Sequence, residues 1–233
     1  MTWNPNSLNP SQGQAPARAA TQVAYLTQSF GWMFAGLLLT AAVSVLVQSN
    51  AQLLAFARGS FILLLFGQLA LVWGISLGMN RLNATVALGL FFIYAASLGI
   101  TIGLIVSAYT GASVATAFLS ASAMFGGAAL YGATTKRSLV GIGGFLSMGV
   151  IGLVVAMVVN IFLASSGVSF IISIVGVVLF TALTAYNVQR IQSGDLVAAY
   201  GSVEKASVIG ALSLYLDFIN LFLFLLRLMG GRR

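Results

Sequence analysis

A chain of 233 residues that is 60% hydrophobic and only 6% charged is excluded from the ordinary soluble class, in which about 25% of residues are charged. It has neither cysteine nor histidine, which removes disulfides, thiol nucleophiles, iron–sulfur ligation and the commonest general base and zinc ligand. The formal net charge of +7 does not point to nucleic acid, because the basic residues fall singly or in pairs at the ends of apolar segments instead of along one stripe. This is the composition of an all-α, polytopic membrane protein whose first partner is a lipid bilayer.

Residues 1–24 are rich in Asn, Pro, Ser and Gln and contain no apolar stretch of the kind a cleavable signal peptide needs. A flexible polar tail is expected there, with 25–233 forming one transmembrane domain. A crossing helix needs about 20 apolar residues. Hydropathy gives seven such segments, at 30–47, 61–78, 85–108, 112–133, 139–164, 168–191 and 206–228. Gly, Asn, Ser and Thr punctuate the short breaks between them, and a longer polar break runs from 192 to 205.

Lys and Arg set the orientation, since acids contribute little to the positive-inside rule. A cytoplasmic N-terminus with six alternating crossings puts Arg18, Arg81, Lys136, Arg137, Arg190 and Lys205 inside and leaves only Arg58 outside. The same count mildly favours a re-entrant last segment, which keeps Arg227, Arg232 and Arg233 inside; a full crossing exports them. Among the 26 glycines, Gly74 with Gly78 and Gly99 with Gly103 form small-x-x-x-small pairs suited to close helix contact in lipid. Gly126, Gly127, Gly141, Gly144, Gly149 and Gly152 are expected to add further small packing surface.

The chain has three acids, and Asp217 alone lies inside an apolar segment. An ionisable group at that depth costs at least about 2.5 kcal/mol on insertion scales and marks a functional site by default. Ser213, Asp217 and Asn220 stand at i−4, i and i+3, on one face of a helix. Two roles stay open for Asp217: tying its helix to a neighbour by hydrogen bonds, or titrating and contacting an ion. Gln68 and Asn160, inside other apolar segments, are expected to bond between helices. Arg190 is expected to reach the interface from its helix end, and Asp195 and Glu204 to be solvated.

The run Ala211-Leu-Ser-Leu-Tyr-Leu-Asp217-Phe-Ile-Asn-Leu-Phe222, followed by Leu225-Leu-Arg227, resembles the C-terminal signature of the transmembrane Bax inhibitor motif family, or Bax inhibitor-1-like family, in its bacterial branch. The likeness extends through Phe66-Gly-Gln68, Leu90-Phe-Phe-Ile-Tyr94, Ala123-Met-Phe-Gly126, Leu130-Tyr-Gly132, Thr134-Thr-Lys-Arg137 and Phe180-Thr-Ala-Leu-Thr-Ala-Tyr186. The resemblance implies a central C-terminal helix wrapped by two three-helix groups, and a calcium-permeable leak regulated by pH in a bacterial cytoplasmic membrane. It also implies a sensor made of two aspartates, in the sixth and last helices, with an arginine at the end of the second. The last-helix aspartate corresponds to Asp217 and the arginine to Arg81. The sixth-helix pattern Thr-Ala-Tyr-Asp is here Thr184-Ala185-Tyr186-Asn187, so an amide stands for one carboxylate. Two carboxylates sharing a proton titrate as a coupled pair, and Asn187 removes that coupling. A weaker or shifted pH response is expected.

Calcium takes hard oxygen ligands. Asp217, Asn187, Asn220 and backbone carbonyls can supply transient ones to a permeant ion, and no resident cofactor is expected. The competing class is a non-conducting interaction protein, since the family resemblance also implies control of a membrane-bound AAA protease or of a stress response. An enzyme is not expected: an intramembrane aspartyl protease needs two embedded aspartates, and a serine protease of this type wants a histidine.

Overall fold

The computed structural model describes residues 10–231, with side chains from residue 24 onward. The described residues form α1 (Pro10–Ser49), α2 (Ala51–Gly59), α3 (Phe61–Gly78), α4 (Ala84–Val106), α5 (Gly111–Thr134), α6 (Gly143–Leu163), α7 (Ser166–Gln192), α8 (Asp195–Tyr200) and α9 (Val203–Met229). Seven of these are long and apolar enough to cross a membrane, at Ala24–Ser49, Phe61–Gly78, Ala84–Val106, Gly111–Thr134, Val140–Leu163, Ser166–Gln192 and Val203–Met229. The expected seven segments are therefore present: those expected at 30–47, 112–133, 168–191 and 206–228 are longer at both ends, 61–78 is unchanged, and 85–108 and 139–164 end one or two residues earlier. Hydroxyl and amide side chains start them: Asn83 Oδ1 accepts from Val86 N–H at 2.7 Å, Thr110 Oγ1 from Ser113, Ser165 Oγ from Val168 and Ser202 Oγ from Lys205. Gly194 and Gly201, at φ of 81° and 71°, supply the left-handed turns that bracket α8 within the long polar break. Helix α1 reaches back to Pro10, so the expected tail is helical over 10–24, where Ala and Gln favour helix; residues 1–9 lie outside the described residues.

Helix α9 is the centre. Ala206 to Leu212 are all buried, as are Leu214, Tyr215, Asp217 and most of the residues beyond. Helices α1, α4, α5 and α7 pack directly on it, while α3 packs on the outside of α4 and α6 on the outside of α7. The outer helices α3 and α6 carry large exposed side chains such as Leu63, Leu77, Phe145 and Phe162. On a soluble protein that surface would be unaccountable; in hydrocarbon it is the solvent-facing side.

The contacts at the ends of α9 show how it runs through the bundle. At its start, Lys205 Nζ donates to Asn80 O in the α3–α4 turn at 3.4 Å. At its end, Thr110 N–H donates to Gly231 O at 3.2 Å and Gly231 N–H to Ser113 Oγ at 2.9 Å, both in the α4–α5 connection. One span, α4, separates those two connections, so α9 runs from one face of the bundle to the other. We call them the first face (α3–α4 turn, α5–α6 loop, α8) and the second face (α2, α4–α5 connection, residue 231). Of the two options for the last segment, the full crossing fits this geometry: at 27 residues α9 is about 40 Å long, more than the ~30 Å of hydrocarbon, and terminal arginines weigh little against that apolar length.

Close approach is concentrated at particular glycines. A Cβ on Gly99 would lie 2.8 Å from Thr40 O and on Gly103 2.9 Å from Ser44 O, so this pair sets the α1–α4 contact. Gly132 lies against the Ala185 backbone, fixing α5 on α7. By contrast Gly74 has no neighbour within 4 Å and Gly78 meets only Leu82 of its own turn; Gly126, Gly127, Gly141, Gly144 and Gly152 are open too, leaving Gly149, against Leu179, as the packed member of that set. Gly132→Ala is expected to cost about 1–3 kcal/mol by overpacking, whereas Gly126→Ala leaves thermal unfolding in detergent unchanged or slightly raised. In the cysteine-free background, Asn80→Cys and Gly231→Cys should react with an impermeant maleimide from opposite sides of the membrane; labelling from one side contradicts the crossing of α9.

Candidate functional site

The site grows from the α7–α9 contact. Along α7, Thr184 is fully buried and its hydroxyl donates to Phe180 O at 2.8 Å. Ala185 is where α5 comes closest, and the Tyr186 ring covers Gly143 of α6. Two residues after Asn187, Gln189 pins the α5–α6 loop: its Oε1 accepts from Leu139 N–H at 2.7 Å and its Nε2 donates to Arg137 O at 2.9 Å. Ala185, Tyr186 and Gln189 are thus held by α5, α6 and the α5–α6 loop, while the Asn187 side chain is directed at α9. There Nδ2 donates to Asp217 Oδ2 at 2.7 Å.

Asp217 is 4% exposed. It lies about 21 Å along α9 from Val203 and about 18 Å from Met229 at 1.5 Å per residue, so the carboxyl group is near mid-helix. Asn187 is only five residues from the first-face end of α7. Among the described residues Asn187 is the one side chain hydrogen-bonded to Asp217, and no lysine or arginine pairs with it. An amide suits this position in either protonation state, since its N–H donates to a carboxylate and its carbonyl, after rotation, accepts from a carboxyl O–H.

The other expected site residues are placed elsewhere. Arg81 is exposed in the α3–α4 turn on the first face, where it borders a groove with Gly74, Gly78 and Leu82. Asn220 turns its amide to its own helix, donating to Leu216 O at 2.8 Å. Ser213 is half-buried and makes no hydrogen bond among the described residues. Gln68 donates to Thr101 Oγ1 at 2.8 Å, joining α3 to α4, and Asn160 donates to Ser169 Oγ at 2.7 Å, joining α6 to α7, as their positions suggested. Arg190 sits with Lys136, Ser138 and Asp195 around a cavity of about 300 Å³ at the first face.

One feature of the core left no mark in the hydropathy. Tyr215, fully buried two residues before Asp217, has its hydroxyl 2.6 Å from Thr40 Oγ1, and that oxygen is 2.9 Å from both Gly36 O and Ala95 O. The single threonine proton serves the carbonyls, so Tyr215 donates. This knot ties α9 to α1 and α4, on the side of α9 away from Asn187, and the Tyr215 ring is clasped edge-on by Phe91 and Tyr94.

A bundle of membrane-length helices around a buried central one makes this an integral, polytopic α-helical membrane protein. The family model described as inhibitor of apoptosis-promoting Bax1 matches residues 22–233, and the chain belongs to that family. It is 43% identical to the inner membrane protein YbhL of Escherichia coli K12 over 93% of this chain and 94% of that one. It is 43% identical to an uncharacterized protein of Deinococcus radiodurans, covering 89% and 90% of the two chains, and 39% identical to one of Rickettsia prowazekii, covering 90% of each.

Removing one partner of a buried hydrogen bond costs more than removing both. Asn187→Leu should therefore destabilise the protein by about 1–3 kcal/mol, and adding Asp217→Leu should recover most of that loss. Additive losses in this double-mutant cycle, followed by unfolding in detergent, would show that the two side chains do not interact.

Proposed function

We propose that this protein is a proton-modulated, calcium-permeable leak in a bacterial cytoplasmic membrane, with its N-terminus on the cytoplasmic side, and that Asp217 is the group through which protons act. The observation that carries the reading is the Asn187–Asp217 hydrogen bond: a lone carboxyl group buried in the middle of the central helix, partnered by the residue at the family's second sensor position. Arg81, exposed in a turn and not paired with Asp217, has no part in it. The first face is taken as the cytoplasmic one on the count of Lys and Arg in its connections, and the bacterial inner membrane as the location, in keeping with the printed name of the Escherichia coli relative.

In this reading proton uptake or loss at Asp217 changes how tightly α7 and α9 hold each other, and the leak follows that contact. One carboxylate and a few neutral oxygens cannot make a tight calcium cage, which suits passage of the ion and not storage. No catalytic step and no resident cofactor are assigned.

The test is calcium flux into liposomes holding the purified protein, measured from about pH 6 to 8, on either side of neutrality. The parent flux is expected to change severalfold over that range, Asp217→Asn to be flat, and Asn187→Asp to steepen the response by restoring a coupled pair. Flux no greater than in empty liposomes for all three contradicts the leak and favours a non-conducting protein that acts on a membrane protease or stress response.

A further inference from the structure

On the second-face half of the bundle, a cavity of about 390 Å³ lies between α1 and α5, with α4 behind it and Phe218, Ile219 and Phe222 of α9 as its floor. Helices α1 and α5 meet nearer the first face, where the rings of Phe30 and Phe125 stand edge to face at 6.4 Å, and Phe125 in turn meets Phe218 at 5.5 Å. Beyond that closure the two helices part, and make no substantial contact. The result is a slot open sideways between its two walls, with Val45 on one lip 63% exposed and Phe118 on the other 49% exposed.

Its dimensions select among occupants. On α1 the lining runs from Leu37 to Gln48, which is about 16 Å of helix, or half of the ~30 Å hydrocarbon thickness. A helix about 10 Å across fills roughly 1,300 Å³ over that length, more than this cavity of about 390 Å³ encloses. A transmembrane helix of a partner is too wide to be seated within it. A single extended hydrocarbon chain is not.

The chemistry agrees with the shape. No Asp, Glu, Lys or Arg lines the slot. Of its polar groups, Gln48 and Ser44 are at the second-face end, and Gln48 Nε2 donates to Ser44 O at 3.1 Å. The deep one, Thr40, is already engaged with Tyr215 and two carbonyls. A polar solute or an ion would find no partners at depth, whereas a chain with an apolar body and a polar end matches the slot from floor to mouth.

We propose that this slot binds one acyl chain of a membrane phospholipid from the leaflet at the second face, its headgroup at the Gln48 end and its methyl end against Phe218. The seated chain takes the place of a missing α1–α5 contact and buttresses α9 on the side opposite Asn187. The site is independent of whether the protein conducts ions.

The full-length protein in phosphatidylethanolamine and phosphatidylglycerol liposomes, doped with a phospholipid carrying a diazirine midway along one acyl chain, provides the test. After photolysis, adducts mapped by mass spectrometry should be at least about fivefold denser on residues 37–48 and 218–222 than on the plain lipid-facing side of α6 around Phe145, Ile151 and Phe162, as an enclosing pocket demands. Ala115→Phe, which puts a ring into the slot from the α5 wall, should remove that excess and leave α6 labelling unchanged. Ala41→Phe does the same from α1 if the first variant fails to fold. Slot labelling no denser than on α6 means annular lipid only and overturns the proposal, as does an excess that both variants retain.

Discussion

A carboxyl group cannot be left facing hydrocarbon, where even insertion scales put the cost at about 2.5 kcal/mol or more, and the architecture follows from covering the one at Asp217. Its helix cannot lie at the periphery, so α9 is surrounded by α1, α4, α5 and α7. The cover must also come close enough to satisfy the group. Small residues provide that approach: Gly132 lets α5 reach the Ala185 backbone two residues before Asn187, and Gly176 lets Phe224 of α9 lie flat on α7. Helices α3 and α6, relieved of any duty to α9, take the lipid-facing positions.

The partner on α7 is an amide, and this changes what the contact can do. Two carboxyl groups at hydrogen-bond distance must share a proton or repel each other, so such a pair switches between holding and pushing. Asn187 can stay bonded to Asp217 through protonation by presenting either end of its amide. The α7–α9 contact is then loosened or tightened by a change in hydrogen-bond strength and not by repulsion, which is the physical ground for a shallower pH response. On the opposite side of α9 the Tyr215–Thr40 knot holds the helix in register, so movement at Asp217 must be taken up toward α7.

Hydropathy made the seven spans legible to within a few residues, because membrane length and apolar composition are properties of each segment alone. The one-face placement of Asp217 and the alignment of Asn187 with the family pattern were legible for the same reason. Properties that need a second helix were not. The Gly74–Gly78 pair matches a packing pattern as well as Gly99–Gly103 does, yet it faces outward and the other faces α1. Arg81 was placed by spacing in the chain, and the fold leaves it in an exposed turn. The Thr40–Tyr215 bond joins residues far apart in sequence, both unremarkable in a hydropathy profile; an aromatic hydroxyl forced into the core beside the acid was the signal available. Counting arginines leaned mildly toward re-entry of α9 and left the crossing open; the contacts at the two ends of the helix, which the sequence does not display, are what favour a full span.

The most direct measurement is infrared difference spectroscopy of the carboxyl region, parent against Asp217→Asn, as pH is varied in lipid. The account predicts one carbonyl stretch that appears and disappears with pH, is absent from Asp217→Asn, and shifts in frequency when Asn187→Val removes the amide hydrogen bond. A titrating band that survives Asp217→Asn, or a band from Asp217 indifferent to the loss of the Asn187 amide, would contradict the claim that this pair is where protons meet the central helix.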